Sequence, residues 1–155
     1  HLPRDQMKHI PRRSPFATLA AALLLALLAT TARAEMRQYG SFEVHYSVFS
    51  SSFLQPGIAA AYGIVRAKDR ALINIAVRRG TGDAATVSAV LSGTRGDLIR
   101  KTPLEFREIR EEQAVYYIAE FGFVSGETQY FDIAIQPAGE TRPLVLQFNH
   151  VLYAD

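Results

Sequence analysis

The stretch Phe42–Gly63 reads FEVHYSVFSSSFLQPGIAAAYG and joins two kinds of local pattern. Phe42, Val44, Tyr46 and Val48 share one parity, while Glu43, His45 and Ser47 share the other. Period-two alternation of β-branched and aromatic residues predicts a strand with one buried and one wet face. Ser50, Ser51 and Ser52 end that pattern. Gln55–Gly63 then predicts one or two helical turns. Pro56 suits a helix start, three alanines favour the helix, and Gly63 suits the left-handed position past its end. A helix this short is not stable alone. Phe53, Leu54, Ile58 and Tyr62 must therefore pack on something, most simply an open end of the sheet. The excursion reads as a plug over apolar core.

Working outward, strands follow quickly. Ala71–Arg78 is a second strand, followed by a turn at Arg79–Asp83. Thr86–Thr94 is a third, with Val87, Ala89 and Leu91 inward. Thr102–Arg110 is a fourth; Ile109 is out of phase with Leu104 and Phe106, so a bulge is expected near Arg107–Glu108. Ala114–Phe123 is the most apolar and is expected at a sheet centre. Thr128–Gln136 places Phe131, Ile133 and Ile135 on one face, and Pro143–Tyr153 is the last. Seven short strands at regular spacing, with no βαβ alternation, predict an all-β, immunoglobulin-like antiparallel β-sandwich with one short helical excursion after the first strand. A closed barrel is the alternative.

The N-terminal region follows different rules. Lys8, Arg12 and Arg13 precede an apolar run, Phe16–Ala29, and then the small-x-small site Ala32-Arg33-Ala34. This is the plan of a cleavable signal peptide over residues 7–34, with cleavage after Ala34 and residues 1–6 upstream of it. The run is shorter than the roughly 20 apolar residues of a membrane span, so no integral span is expected after cleavage. Residues 35–155 form one expected domain, exported. The leader holds five of the 17 basic residues and one of the 15 acids, which leaves 12 and 14, a formal charge of −2. The high isoelectric point thus belongs to the leader, and nucleic acid is excluded as a partner because phosphate binding needs a basic face on the folded domain. There is no cysteine, so the exported core has no disulfide to constrain its unfolded chain.

The phrases FEVHYSVFSSSFLQPGIAAAYGIVRAK, ALINIAV, LEFREIREEQAVYYIAEF and ETQYFDIAIQP resemble an exported bacterial family, domain of unknown function 4426. The resemblance covers almost all of Tyr39–Asp155. It implies a signal-peptide-bearing periplasmic β-sandwich of Gram-negative bacteria and transfers no catalytic residue.

No stretch specifies a reaction. His45 and His150 are the histidines of residues 35–155 and lie on the first and last expected strands, with only Glu43 and Asn149 near them in sequence. Zinc wants three or four ligands, so no metal and no cofactor is expected. Ser50–Ser52 lack the G-x-S-x-G elbow of a nucleophile and read as loop serines. Glu105, Glu108, Glu111, Glu112 and Glu120 interleave with Arg107 and Arg110, as on a charged edge that discourages strand pairing. Adjacent Tyr116 and Tyr117 cannot both point inward, and an outward Tyr116 beside Tyr130 would make an apolar patch. The expectation is a non-catalytic binding module with an envelope protein as partner, contacting it through Phe53, Leu54, Ile58, Tyr62, Tyr116 and Tyr130. The alternative is a small-ligand or cell-wall-fragment binder, or a weak hydrolase, with a pocket under Ser50–Gly63.

Overall fold

The computed structural model describes residues 34–80 and 85–154. The expected leader, apart from Ala34, and most of the turn after Arg79 lie outside them. Among the described residues nine strands form two antiparallel sheets. The strands are β1 (Glu35–Tyr39), β2 (Phe42–Ser50), β3 (Arg70–Arg79), β4 (Ala89–Gly96), β5 (Lys101–Pro103), β6 (Arg107–Arg110), β7 (Val115–Gly122), β8 (Thr128–Pro137) and β9 (Leu144–Val151). One sheet has the order β1-β2-β3-β7-β6 and the other β5-β4-β8-β9. The expected sandwich stands.

The inner faces carry the alternating apolar residues. Val44, Ile73, Ile75 and Val77 from one sheet and Ile133, Ile135 and Leu146 from the other are fully buried in a single cluster. Within one sheet Phe131 stacks on its cross-strand partner Phe148 at 4.7 Å, and two ring contacts bridge the layers: Phe121 meets Phe131 edge-on at 5.4 Å and Tyr46 meets Phe148 at 4.6 Å. Such pairs add to the area they bury.

Four expectations need correction. First, Thr102–Arg110 is not one bulged strand. β5 pairs with β4 in one sheet and β6 pairs with β7 in the other, so the chain changes layer at Leu104-Glu105-Phe106. Pro103 has no N–H to continue a ladder, and the Leu104 N–H donates to the Gly93 carbonyl at 2.8 Å. The shift of Ile109 out of phase records this crossover. Second, the central strand is β3, with β7 one place from the edge. Third, β1 was not expected; it folds back on β2 through Gly40, whose φ of 58° a glycine adopts without strain.

The fourth correction concerns the excursion. It does not plug an end of the sandwich but lies on the outer face of the five-stranded sheet. Leu54, Ile58, Ala59 and Ile64 form a second buried cluster with Phe49, Leu72 and Ile118 of β2, β3 and β7, flanked by Tyr62 and Ile109. The face of β2 expected to be wet is therefore largely covered. The helix α1 (Pro56–Ala61) has Pro56 in its first turn. It ends with Gly63 at φ 64°, the Gly63 N–H on the Ala60 carbonyl at 3.2 Å and the Ile64 N–H on the Ala59 carbonyl at 2.8 Å. This is the Schellman pattern, and it directs Ile64 back against the helix it follows.

Candidate functional site

The six residues expected to form a binding surface do not form one. Leu54, Ile58 and Tyr116 are buried in or beside the second cluster, and Tyr62 is half-buried. Only Phe53 and Tyr130 remain exposed, and they belong to different parts of the molecule. Tyr116 is on β7 and Tyr130 on β8, in separate sheets, so they make no common patch. The space between the excursion and the sheet, lined by Phe49, Tyr62, Asn74 and Tyr116 among others, is about 20 Å³. That is room for about one water, and no ligand pocket lies there.

The triple serine is spent on local bonds, with the Ser50 and Ser52 hydroxyls 2.9 Å apart. The Ser51 hydroxyl accepts from the Ala67 N–H at 3.0 Å and donates to the Ala67 carbonyl at 3.2 Å. The Ser50 hydroxyl accepts from the Ser52 N–H at 3.4 Å. Most of the carboxylates are likewise engaged: Glu108 with Arg110 at 2.5 Å, Glu120 with Arg107 at 3.3 Å, and Glu111 with the Tyr62 hydroxyl. Burial, and then that Glu111 carboxylate, push the Tyr62 hydroxyl up to about 12.

His45 and His150 are not neighbours. His45 lies on the outer face of β2, with Nε2 3.0 Å from Glu43 Oε2 and Met36 opposite it on β1. His150 is half-buried opposite Gln129 on β8, and burial lowers its pKa against a smaller raising effect of Glu35. Among the described residues no three His, Cys, Asp or Glu side chains stand together as a metal site.

A different assembly occupies one end of the sandwich. Strand register brings the end of β4, the start of β8, the residue before β3 and the end of β7 around a concavity of about 320 Å³. Arg95 comes from β4 at the parity of Ala89 and Leu91, so it points inward, and its guanidinium lies 5.4 Å from the centre of the Phe121 ring. Arg70 Nε is buried without a hydrogen-bond partner among the described residues. Burial, and then the charge of Arg70, lower the pKa of Arg95. Gln129 also lines the concavity; it is only 6% exposed, and its Oε1 has no partner. Asp69, Asp97, Arg100 and Glu127 complete the charged lining.

Beside it stands the β4–β5 hairpin. Asp97 Oδ1 accepts from the N–H groups of Ile99 at 2.8 Å and Arg100 at 2.5 Å, and these bonds hold its carboxyl below the usual range. A Cβ on Gly96 would sit 1.9 Å from the Arg100 carbonyl oxygen, so the turn requires glycine. On this locked turn Leu98 and Ile99 are 78% and 90% exposed. The sequence did carry a signal for this end, since Arg95 and Gln129 are polar residues at inward parity. Ending the third strand at Thr94 hid the first of them.

These features describe a β-sandwich with one covered outer face and one polar, partly open end. The profile of the family described as domain of unknown function 4426 matches residues 36–155, and the chain belongs to that family. A crystal structure of a family member from Pseudomonas aeruginosa PAO1 is 37% identical, with a TM-score of 0.68 over 79% of this chain and 96% of that one. Two structures of FetP from uropathogenic Escherichia coli strain F11 share the fold at 11% and 10% identity. One is a copper-bound variant, with a TM-score of 0.56 over 80% of this chain and 97% of that one. The other, expressed in the periplasm, has a TM-score of 0.57 over 82% and 99%. No curated protein matches the chain. Among the described residues no helix is long and apolar enough to cross a membrane.

Proposed function

We propose that the protein is a non-catalytic binding module of the cell envelope, working in the periplasm, whose contact region is the β4–β5 end of the sandwich. One observation carries this reading: a turn fixed by Asp97 and Gly96 displays Leu98 and Ile99 almost fully to solvent. Large aliphatic side chains held out on a rigid frame favour contact with a partner. The engagement of the serines and of most of the carboxylates in local bonds supports a binding role over a hydrolytic one. In vivo photocrosslinking tests the reading. Probes at positions 98 and 99 should give one discrete adduct, and a probe at exposed Val90, at the far end of β4, should give none. Equal capture from position 90, or none from 98 and 99, rejects this contact region.

Copper binding is a second reading, favoured by Met36 standing opposite His45, whose Nε2 lies 3.0 Å from Glu43 Oε2. A thioether and an imidazole are donors that copper accepts. A thermal melt with excess copper tests it. A rise in midpoint that His45→Ala abolishes would support the reading, and an unchanged midpoint ends it.

A further inference from the structure

The polar end of the sandwich has the chemistry of a ligand site. Guanidinium groups present planar forks of N–H donors that match a carboxylate. Arg95 is held in place by the Phe121 ring beneath it, lines the concavity, and makes no ion pair with a carboxylate among the described residues. Arg70 adds a second positive charge within electrostatic reach, and its buried Nε also lacks a partner. Like charges this close destabilise one another unless an anion joins them.

The second half of the site is an acceptor. Gln129 is almost fully buried, and its side-chain oxygen is unpaired. A buried polar atom without a partner is costly; Gln129 Oε1 is itself closed to solvent, so a ligand donor relieves that cost once the side chain turns into the concavity. Asp69 and Glu127 on the rim favour a donor that carries positive charge or an N–H dipole. The concavity of about 320 Å³ is at the small end of the range for ligand pockets.

We infer that this end binds a carboxylate with an adjacent N–H donor, the unit shared by a free amino acid and the C-terminal residue of a peptide, with the carboxylate on Arg95 and the N–H on Gln129 Oε1. The inference deepens the binding-module reading and rests on it only for the location of the contact. Carboxylate binding and crosslinking are separate measurements, so either can fail without the other.

The test is titration of the full-length protein followed by amide-resolved NMR, with N-acetyl-alanine, alanine, N-acetyl-alanine amide, propionate and inorganic phosphate as probes. Saturable shifts centred on Gln129 and Gly122–Val124 are expected with N-acetyl-alanine. The amide, which lacks the carboxylate, should bind at least about tenfold more weakly, as expected for loss of a charge-assisted bond. Propionate, which lacks the N–H, should also bind more weakly than N-acetyl-alanine. Arg95→Met should remove binding of all the acids, and Gln129→Leu should remove only the preference for N-acetyl-alanine over propionate. Tighter binding of alanine than of N-acetyl-alanine would identify a free amino acid as the ligand, and the reverse order a peptide C-terminus. Equal binding of acid and amide, equal binding of inorganic phosphate, or no saturable shift with any probe overturns the inference. The acid–amide comparison on the unaltered protein stands even where a variant fails to fold.

Discussion

The outer faces of the two sheets differ sharply. On the five-stranded sheet Phe49, Leu72 and Ile118 are buried beneath the helical excursion. On the four-stranded sheet Val90, Tyr130 and Val145 face solvent, at 75%, 37% and 52% exposure. The strand sequences carry this contrast. β8 alternates cleanly, whereas β3 reads ALINIAV, a nearly continuous apolar run. A strand covered on both faces loses its alternation, so the run in β3 already signals that something lies on its outer side.

The contrast can be tested by substitution. The common core should be the most sensitive region: Phe121→Ala, which strips a ring packed on Phe131, should cost about 3–5 kcal/mol in denaturant unfolding. Phe106, only partly buried at the crossover, should cost less than Phe121 when cut to alanine. Next is the covered outer face, where Leu72→Ala should cost about 2–5 kcal/mol. An effect within about 0.5 kcal/mol, the range of ordinary surface changes, would show that the excursion adds little. Gly63→Ala, which places a Cβ at φ 64°, should cost about 1–2 kcal/mol.

The excursion should also respond to alkali. The Tyr62 hydroxyl titrates near 12 in the folded protein, against an ordinary value of 10. Because the folded value is the higher one, this contribution is fully present below pH 10 and is lost as pH rises through 12. Tyr62→Phe should lower stability by about 1 kcal/mol near neutrality and flatten the fall in melting temperature across that window. Tyr46, raised to about 12 by burial and by its bond to Glu35, titrates in the same range, so some slope should remain. The smallest effect belongs to the bare face: Val90→Ala should stay within about 0.5 kcal/mol.

Much of the fold is legible along the chain because side-chain parity is a local property. Residues Phe42–Val48 and Thr128–Gln136 assign their inward faces from alternation alone, and the structure keeps both assignments. The helix ends are local too, since Pro56 and Gly63 act through their own backbone torsions. The candidate binding residues were a different matter. Leu54 and Ile58 need a covering surface by their own sequence, but local pattern does not say which; the structure puts them on the outer face of the sheet, and Tyr116, at outward parity, is buried beside them.

By itself, then, the sequence determined two antiparallel layers without a disulfide, the inward set of the main strands, and a short helix that had to be covered. Only the tertiary structure decided that Lys101–Arg110 divides between the sheets, that the helix covers an outer face, and that Arg95 and Gln129 meet at one end beside Arg70. The reason is physical: φ preference and parity act over a few residues, whereas strand partners and layer changes depend on contacts between residues far apart in the chain, whose closure entropy only the complete core offsets.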